Sequence, residues 1–320
     1  MNIETTRDFL EKFEKLLNTR NPQLSGIPAR VIGYGEISTV LEIGGLDSRF
    51  AYKRMPLFRS EDEINRYTKA FENYSRILRE SVGLLLPDYS YTKISIEGHP
   101  IVFYIAQEMM PAESIGNRAI HFLDKQDCIR LIRCTLRELA KVWRFNAKSE
   151  EVEVGIDGQI SNWAIMGYNS PPLPEKFDLA YLDTSTPLFR IHGIEQLQAE
   201  LFLRPAPSFL AWILKRLFLE DVVNRYYDFH LVACDLVANF KKEQKEELIP
   251  DLVEETNRFF LEEVPELEIR PISEKEVRSY YRLDAMIWRL YLSLRKLDRF
   301  IRTKMLGKDY PYILPGKIKR

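Results

Sequence analysis

The chain has 320 residues, 45% of them hydrophobic and 29% charged, with a formal net charge of −1. That length suits one large domain or two closely packed halves, and the composition is that of an ordinary globular protein. The charge balance removes any polyelectrolyte case for nucleic acid or an anionic membrane as partner.

Residues 4–19 read as an amphipathic helix with Phe9, Phe13, Leu16 and Leu17 on one side, ended by Asn21-Pro22 through Pro28. Glu4, Arg7 and Asp8 stand where a signal peptide needs an apolar core. Residues 31–53 carry the pattern G-x-G-x-x-S-x-V in Gly33, Gly35, Ser38 and Val40, then the turn Gly44-Gly45 and the run Phe50-Ala51-Tyr52-Lys53. Glycines let backbone approach a phosphate with no Cβ in the way. The flanking alternation predicts a two-stranded hairpin. A dinucleotide fold or Walker loop instead needs a helix directly after its glycines, and none is signalled. Taken alone, the stretch is an ordinary hairpin with a surface lysine.

Residues 61–82 predict a long helix with Ile64, Tyr67, Phe71, Tyr74 and Leu78 at helical spacing. Residues 27–107 therefore read as strand, strand, helix, strand, strand, with Glu97-Gly98 turning between the last two. The apolar strand Ile101 to Ala106 runs into Gln107-Glu108-Met109-Met110 and Pro111. Beyond it the character turns helical. Asp124 caps a helix to about Asn146, burying Cys128, Leu131, Ile132, Leu136, Leu139 and Val142.

Val152 to Ile156 leads into Asp157-Gly-Gln-Ile-Ser-Asn162, and Trp163 to Met166 leaves it as a strand. Pro171-Pro172-x-Pro174 marks a hairpin insertion before the apolar run Phe177 to Asp183. From residue 190 onward the pattern predicts helices at 194–203, 208–240, 244–262 and 274–305, the second interrupted near Asp221 or Asn224-Arg225. Its window Phe209 to Phe218 is too short to span a bilayer and carries Lys215 and Arg216. The end, Lys317 to Arg320, reads as a frayed tail. Cys128, Cys134 and Cys234 form no disulfide framework and read as reduced thiols of a cytoplasmic protein, and His121, His192 and His230 have no metal-ligand spacing.

Over roughly residues 30–190, the order glycine loop, A-x-K lysine, D-x4-N and a further aspartate resembles the protein-kinase-like superfamily, within it the aminoglycoside phosphotransferase-like branch of small-molecule kinases. The resemblance implies an α+β, two-lobed protein-kinase-like fold. Its N-terminal nucleotide-binding lobe would span 1–108, with a small antiparallel sheet, one long helix and the first helix in 1–29. Residues 109–320 would form a mainly helical lobe for catalysis and acceptor binding.

The implied roles follow position by position. Gly33, Gly35 and Ser38 cover the phosphates of ATP or GTP, Lys53 fixes the α- and β-phosphates, and Glu108, Met109 and Met110 meet the base as a hinge. Asp157 orients the acceptor hydroxyl, and Asn162 and Asp183 hold Mg²⁺. Asp178 is the alternative metal ligand, disfavoured because a strand leads into Asp183. The lysine's glutamate partner is open between two residues. Distance from the loop at Gly83 favours Glu72, whereas helical phase puts Glu72 about 120° from the apolar stripe and Glu63 near its edge. Tyr226, Tyr227, Asp228 and His230 are candidates for lining an acceptor pocket, with a core role as the simpler alternative.

Departures from the pattern are equally specific. Gly155-Ile156 replaces the His-Arg or His-Gly that precedes the catalytic aspartate in the family, and Thr184-Ser185 follows Asp183 where a glycine belongs. No activation segment is recognisable, which argues against a regulated protein kinase. The expectation is therefore a phosphotransferase moving the γ-phosphoryl group to a hydroxyl of a small molecule, with no nucleic-acid or membrane partner. The alternative is a catalytically degenerate binding or scaffold protein on the same fold.

Overall fold

Three strands pair before the first long helix intervenes, one more than the sequence pattern predicts. The computed structural model describes residues 3–35, 37–205 and 220–316. In it β1 (Ala29–Tyr34), β2 (Thr39–Ile43) and β3 (Phe50–Phe58) form an antiparallel meander, extended by β5 (Ile101–Glu108) and β4 (Tyr89–Ile94) in the order β1-β2-β3-β5-β4. The expected hairpin is thus two turns: Gly33 to Ser38 joins β1 to β2, and Gly44-Gly45 joins β2 to β3. Gly45 has φ +87°, where a side chain would be strained. β1 escapes a period-two search because it is a half-exposed edge strand with a register shift between Val31 and Gly33.

Alternation along β3 sorts its side chains between two layers. Tyr52 joins Leu10, Phe13, Leu41 and Tyr104 under α1 (Ile3–Leu16). Met55 joins Tyr67, Phe71, Phe103 and Ile105 under α2 (Glu61–Arg76). Lys53, two residues before Met55, shares the α2 face. Ser60 caps α2 by accepting from Glu63 N at 3.3 Å, and three acidic residues fill its first turn. A wider π-turn, Ile77–Val82, then carries Leu78 into the core.

A buried ion pair holds α1 to the sheet. Arg54 donates to both Glu14 oxygens at 2.6 and 2.8 Å, and its third nitrogen reaches Pro311 O at 2.7 Å. Tyr104 also donates to Glu14. The chain's last described residues therefore return to its beginning, and Tyr310, Tyr312 and Ile313 are buried against the sheet.

The larger core lies among the helices. α3 (Gly116–Ala119) precedes α4 (Lys125–Asn146), whose cap is Asp124, accepting from Asp127 N at 2.8 Å. All six apolar positions predicted for α4 are fully buried. β6 (Val152–Val154) pairs with β9 (Phe189–Ile191), and β7 (Trp163–Ile165) pairs with β8 (Leu179–Tyr181), so residues 166–178 are the predicted hairpin insertion. The helix expected at 194–203 is instead a short strand, β10 (Ile194–Glu195), and a 3-10 turn, Ala199–Leu203.

Most of the first half of the expected 208–240 helix lies outside the described residues. The rest is α5 (Glu220–Asn224), a 3-10 turn and α6 (Phe229–Lys242), broken where the Asn224-Arg225 signal stood. Asp228 caps α6. α7 (Ile249–Glu262) and α8 (Glu274–Phe300) complete the helical part, and α8 packs chiefly on α6. Among the described residues no helix is long and apolar enough to cross a membrane. The predicted tail at 317–320 also lies outside the described residues.

Candidate functional site

The sheet brings Lys53 to the site from one side. It sits opposite Val40 on β2 and Ile105 on β5, so the glycine turn is directly beyond it in register. β8 brings Asp183 from the other side. Lys53 Nζ donates to Asp183 Oδ1 at 2.9 Å, 130 positions apart, with side chains only 13% and 19% exposed. Ser185 lies between them: its hydroxyl accepts from Lys53 at 3.0 Å and donates to Asp183 Oδ1 at 2.7 Å. Thr186 makes a longer 3.4 Å contact to Oδ2. Burial pushes the Asp183 carboxyl up, but the Lys53 ammonium and the Ser185 donors outweigh it and leave it below its ordinary value.

Asn162 arrives through the backbone. Its carbonyl accepts from Leu182 N at 2.8 Å, which sets it beside Asp183, and its amide donates to Asp157 O at 3.1 Å. Asp157 turns its carboxylate back to accept from Gln159 N at 3.1 Å. Lys53, Asp157, Asn162 and Asp183 are therefore linked through one small set of contacts. Asp178 is exposed at the far end of β8. Among the described residues, no group of three or more His, Cys, Asp or Glu is arranged to hold a metal.

The glycine turn has an informative asymmetry. A Cβ on Gly35 would meet Ser38 Oγ at 2.7 Å, whereas one on Gly33 would meet, among the described residues, the Val40 side chain at 3.4 and 3.5 Å, an ordinary contact. Among the described residues, nothing requires residue 33 to lack a side chain. The segment expected to serve as a hinge is less open than that role implies. Glu108 N donates to Asp88 O at 2.9 Å and Met109 N to Arg49 O at 2.8 Å, so neither amide is available. Met110 N has no backbone partner among the described residues.

Neither glutamate meets Lys53, and both expectations are corrected. Glu63 receives two guanidinium hydrogen bonds from Arg204, at 2.9 and 2.6 Å, and that pairing holds its carboxyl down at about 2. Glu72 is exposed and accepts from Tyr91. What α2 presents inward is a pair of phenols two turns apart. Tyr67 donates to Ser185 O at 2.7 Å and Tyr74 to Gly155 O at 2.9 Å. Burial pushes both phenols well above their ordinary range, so they remain protonated donors. Sequence periodicity counted these residues as core without assigning their hydroxyls.

The loop before Asp157 is shaped from α5 to α6. Ile156 N donates to Tyr226 O at 2.9 Å, and Ile160 N to Asn239 Oδ1 at 3.1 Å. A Cβ on Gly155 would lie 3.0 Å from Tyr226 O and 3.1 Å from the Tyr227 ring, so a side chain at this position would crowd both. Of the acceptor-pocket candidates, Tyr227 donates to Glu195, Asp228 is a cap and His230 is buried with Nδ1 3.0 Å from Arg270 O. All three serve the fold in these contacts. The three cysteines are free.

Residues 15–299 match a family of unknown function, DUF6206, and the chain belongs to that family. No curated protein matches the sequence. Among solved structures the chain is similar to WaaP in complex with acyl carrier protein, at 14% identity over 77% of this chain and 96% of that one. The TM-score of that likeness is 0.34.

Proposed function

We propose that this chain is a two-lobed kinase-like phosphotransferase that moves the γ-phosphoryl group of ATP or GTP to a hydroxyl of a small molecule. The observation that carries the reading is the meeting of Lys53 with Asp183 at 2.9 Å, beside a loop that also holds Asp157 and Asn162. Four residues chosen from motif order alone lie in one contact set, which a chance D-x4-N would not produce.

The residues suit the groups assigned to them. The Asp183 carboxylate and Asn162 amide are hard oxygen donors of the kind Mg²⁺ takes. Bound there, the ion supplies charge neutralisation on the transferring phosphoryl group. The space a Cβ would fill at Gly33 suits close approach by a phosphate. Lys53 supplies a fixed positive charge for the α- and β-phosphates, and Met110 N is the hinge amide left for the base. Asp157 orients the acceptor hydroxyl and takes its proton. Little covalent chemistry falls to the protein, so positioning and electrostatics set the rate.

A scaffold reading has its own support: Lys53 lacks the glutamate that an active kinase site would give it, and two hinge amides are occupied. Thermal shift separates the two first. Mg-nucleotide at 100 times its Kd should stabilise the protein by about 2.7 kcal/mol. No shift with ATP or GTP, with or without metal, removes the nucleotide reading. Transfer to a metabolite panel then tests catalysis. Asp157→Asn should cost turnover by orders of magnitude at nearly unchanged nucleotide affinity, and unchanged turnover would strip Asp157 of its role. Lys53→Ala should weaken binding or slow transfer.

A further inference from the structure

A carboxylate oxygen offers two acceptor positions. On Asp183, Oδ1 uses both: the Lys53 ammonium at 2.9 Å and the Ser185 hydroxyl at 2.7 Å. Oδ2 carries the long 3.4 Å contact from Thr186. Ser185 is itself held firmly, because its hydroxyl accepts from Lys53 at 3.0 Å, its carbonyl accepts from Tyr67 at 2.7 Å, and it is 3% exposed. The serine that breaks the expected glycine pattern after Asp183 therefore closes a three-membered hydrogen-bond ring with Lys53 and Asp183.

Resting on the phosphotransferase reading, we infer that Ser185 sets the metal preference of the site by occupying Oδ1, so that Asp183 binds a divalent cation through Oδ2 alone. A single carboxylate oxygen suits Mg²⁺, which keeps near-octahedral geometry at about 2.1 Å and retains waters. Ca²⁺ is larger, binds at about 2.4 Å and commonly takes both oxygens of one carboxylate. With Oδ1 fixed by an ammonium and a buried hydroxyl, the two-oxygen mode requires breaking the ring. Mg²⁺ meets no such cost. A glycine at 185 would lack the hydroxyl and leave the carboxylate free to turn.

The test compares Kd values for Mg²⁺ and Ca²⁺ complexes of a non-hydrolysable ATP analogue on the full-length protein, by calorimetry. The wild type should favour the Mg²⁺ complex. Ser185→Ala should shift the Mg²⁺-to-Ca²⁺ affinity ratio toward Ca²⁺ by about tenfold or more, the worth of one hydrogen bond to a charged group. Ser185→Thr, which keeps the hydroxyl, should retain the wild-type ratio. Tyr67→Phe, which frees the Ser185 carbonyl and keeps the ring, should shift the ratio the same way by less, and it supplies the answer if Ser185→Ala does not fold. A wild-type ratio retained in both Ser185→Ala and Tyr67→Phe overturns this inference and leaves the phosphotransferase reading standing. A wild type that binds neither complex overturns both.

Discussion

Gly155→Ala tests the packing around the loop before Asp157, because the added methyl would crowd two held neighbours. Its Cβ would sit 3.0 Å from Tyr226 O and 3.1 Å from Cε1 and Cζ of Tyr227. Neither neighbour is free to yield. Tyr226 O accepts from Ile156 N at 2.9 Å, the Tyr227 hydroxyl is held by Glu195 at 2.9 and 3.1 Å, and the Arg190 guanidinium lies 3.8 Å from the Tyr227 ring centroid. Overpacking of this kind costs about 1–3 kcal/mol. Loss of glycine freedom in the unfolded chain returns about 0.4–1 kcal/mol. The net expectation is about 0–2.6 kcal/mol of destabilisation, read as a lower urea midpoint at unchanged m-value. Combining the change with Tyr227→Ala should recover part of that loss, giving a coupling of about 1 kcal/mol in a double-mutant cycle. An absence of coupling between Gly155→Ala and Tyr227→Ala in that cycle would refute the packing argument.

Tyr74→Phe leaves Gly155 O without its phenol donor and should cost about 1–3 kcal/mol, whereas Tyr91→Phe, at a half-exposed pair, should change little; equal effects in urea unfolding would contradict the assignment. Glu63→Gln should lower stability by about 1–2 kcal/mol at neutral pH after allowing for solvent screening. Arg204 depresses the Glu63 carboxyl, so that stability is present above about 4.5 and is lost as pH falls toward about 2, where variant and wild type should converge. Asp235 behaves oppositely: burial first, then Asp284, raises it to about 7. Its protonated form suits the fold, so stability is present below 3.8 and is lost as pH rises through about 7. Asp235→Asn should therefore stabilise the protein at pH 8 and make little difference near pH 4, as measured by thermal unfolding across that range.

The positions of Lys53, Asp157, Asn162 and Asp183 are legible in the sequence because a short apolar run flanks each of them, ending at Lys53, Asp157 and Asp183 and beginning after Asn162. Their neighbours are less so. Helical phase places Glu63 at the edge of the apolar stripe but cannot say which cation arrives there, and the one that does comes from 141 positions away. Tyr67 and Tyr74 fit the stripe as large apolar bodies, and their hydroxyls find carbonyls 118 and 81 positions away, a pairing that no local pattern encodes. β1 fails for a simpler reason, since an edge strand with a shifted register shows no clean alternation. Ser185 looked like damage to a motif because pattern matching scores identity, whereas its hydroxyl acts through position.

These contacts bear on how α2 can move. An ion pair between α2 and the sheet lysine can form or break at modest cost where water reaches it. Two buried phenol–carbonyl bonds behave differently, because breaking either leaves a donor and an acceptor unsatisfied in the core, at about 1–3 kcal/mol each. Tyr67 ties α2 to the segment after Asp183, and Tyr74 ties it to the residue just before Ile156-Asp157. Arg204 adds a third tie, bridging Glu63 and Leu57 O at 2.7 Å. On the far side of the sheet, Arg54 reaches Pro311 O at 2.7 Å and Thr19 reaches Tyr310 O at 2.9 Å, so the chain's end is fastened there as well. Displacing α2 alone would break these three contacts together with those that Tyr91, Lys93 and Gln198 make to it. Moving α2 together with both loops would keep the Tyr67 and Tyr74 bonds, and the Lys53–Asp183 pair survives such a motion only if β3 moves with them.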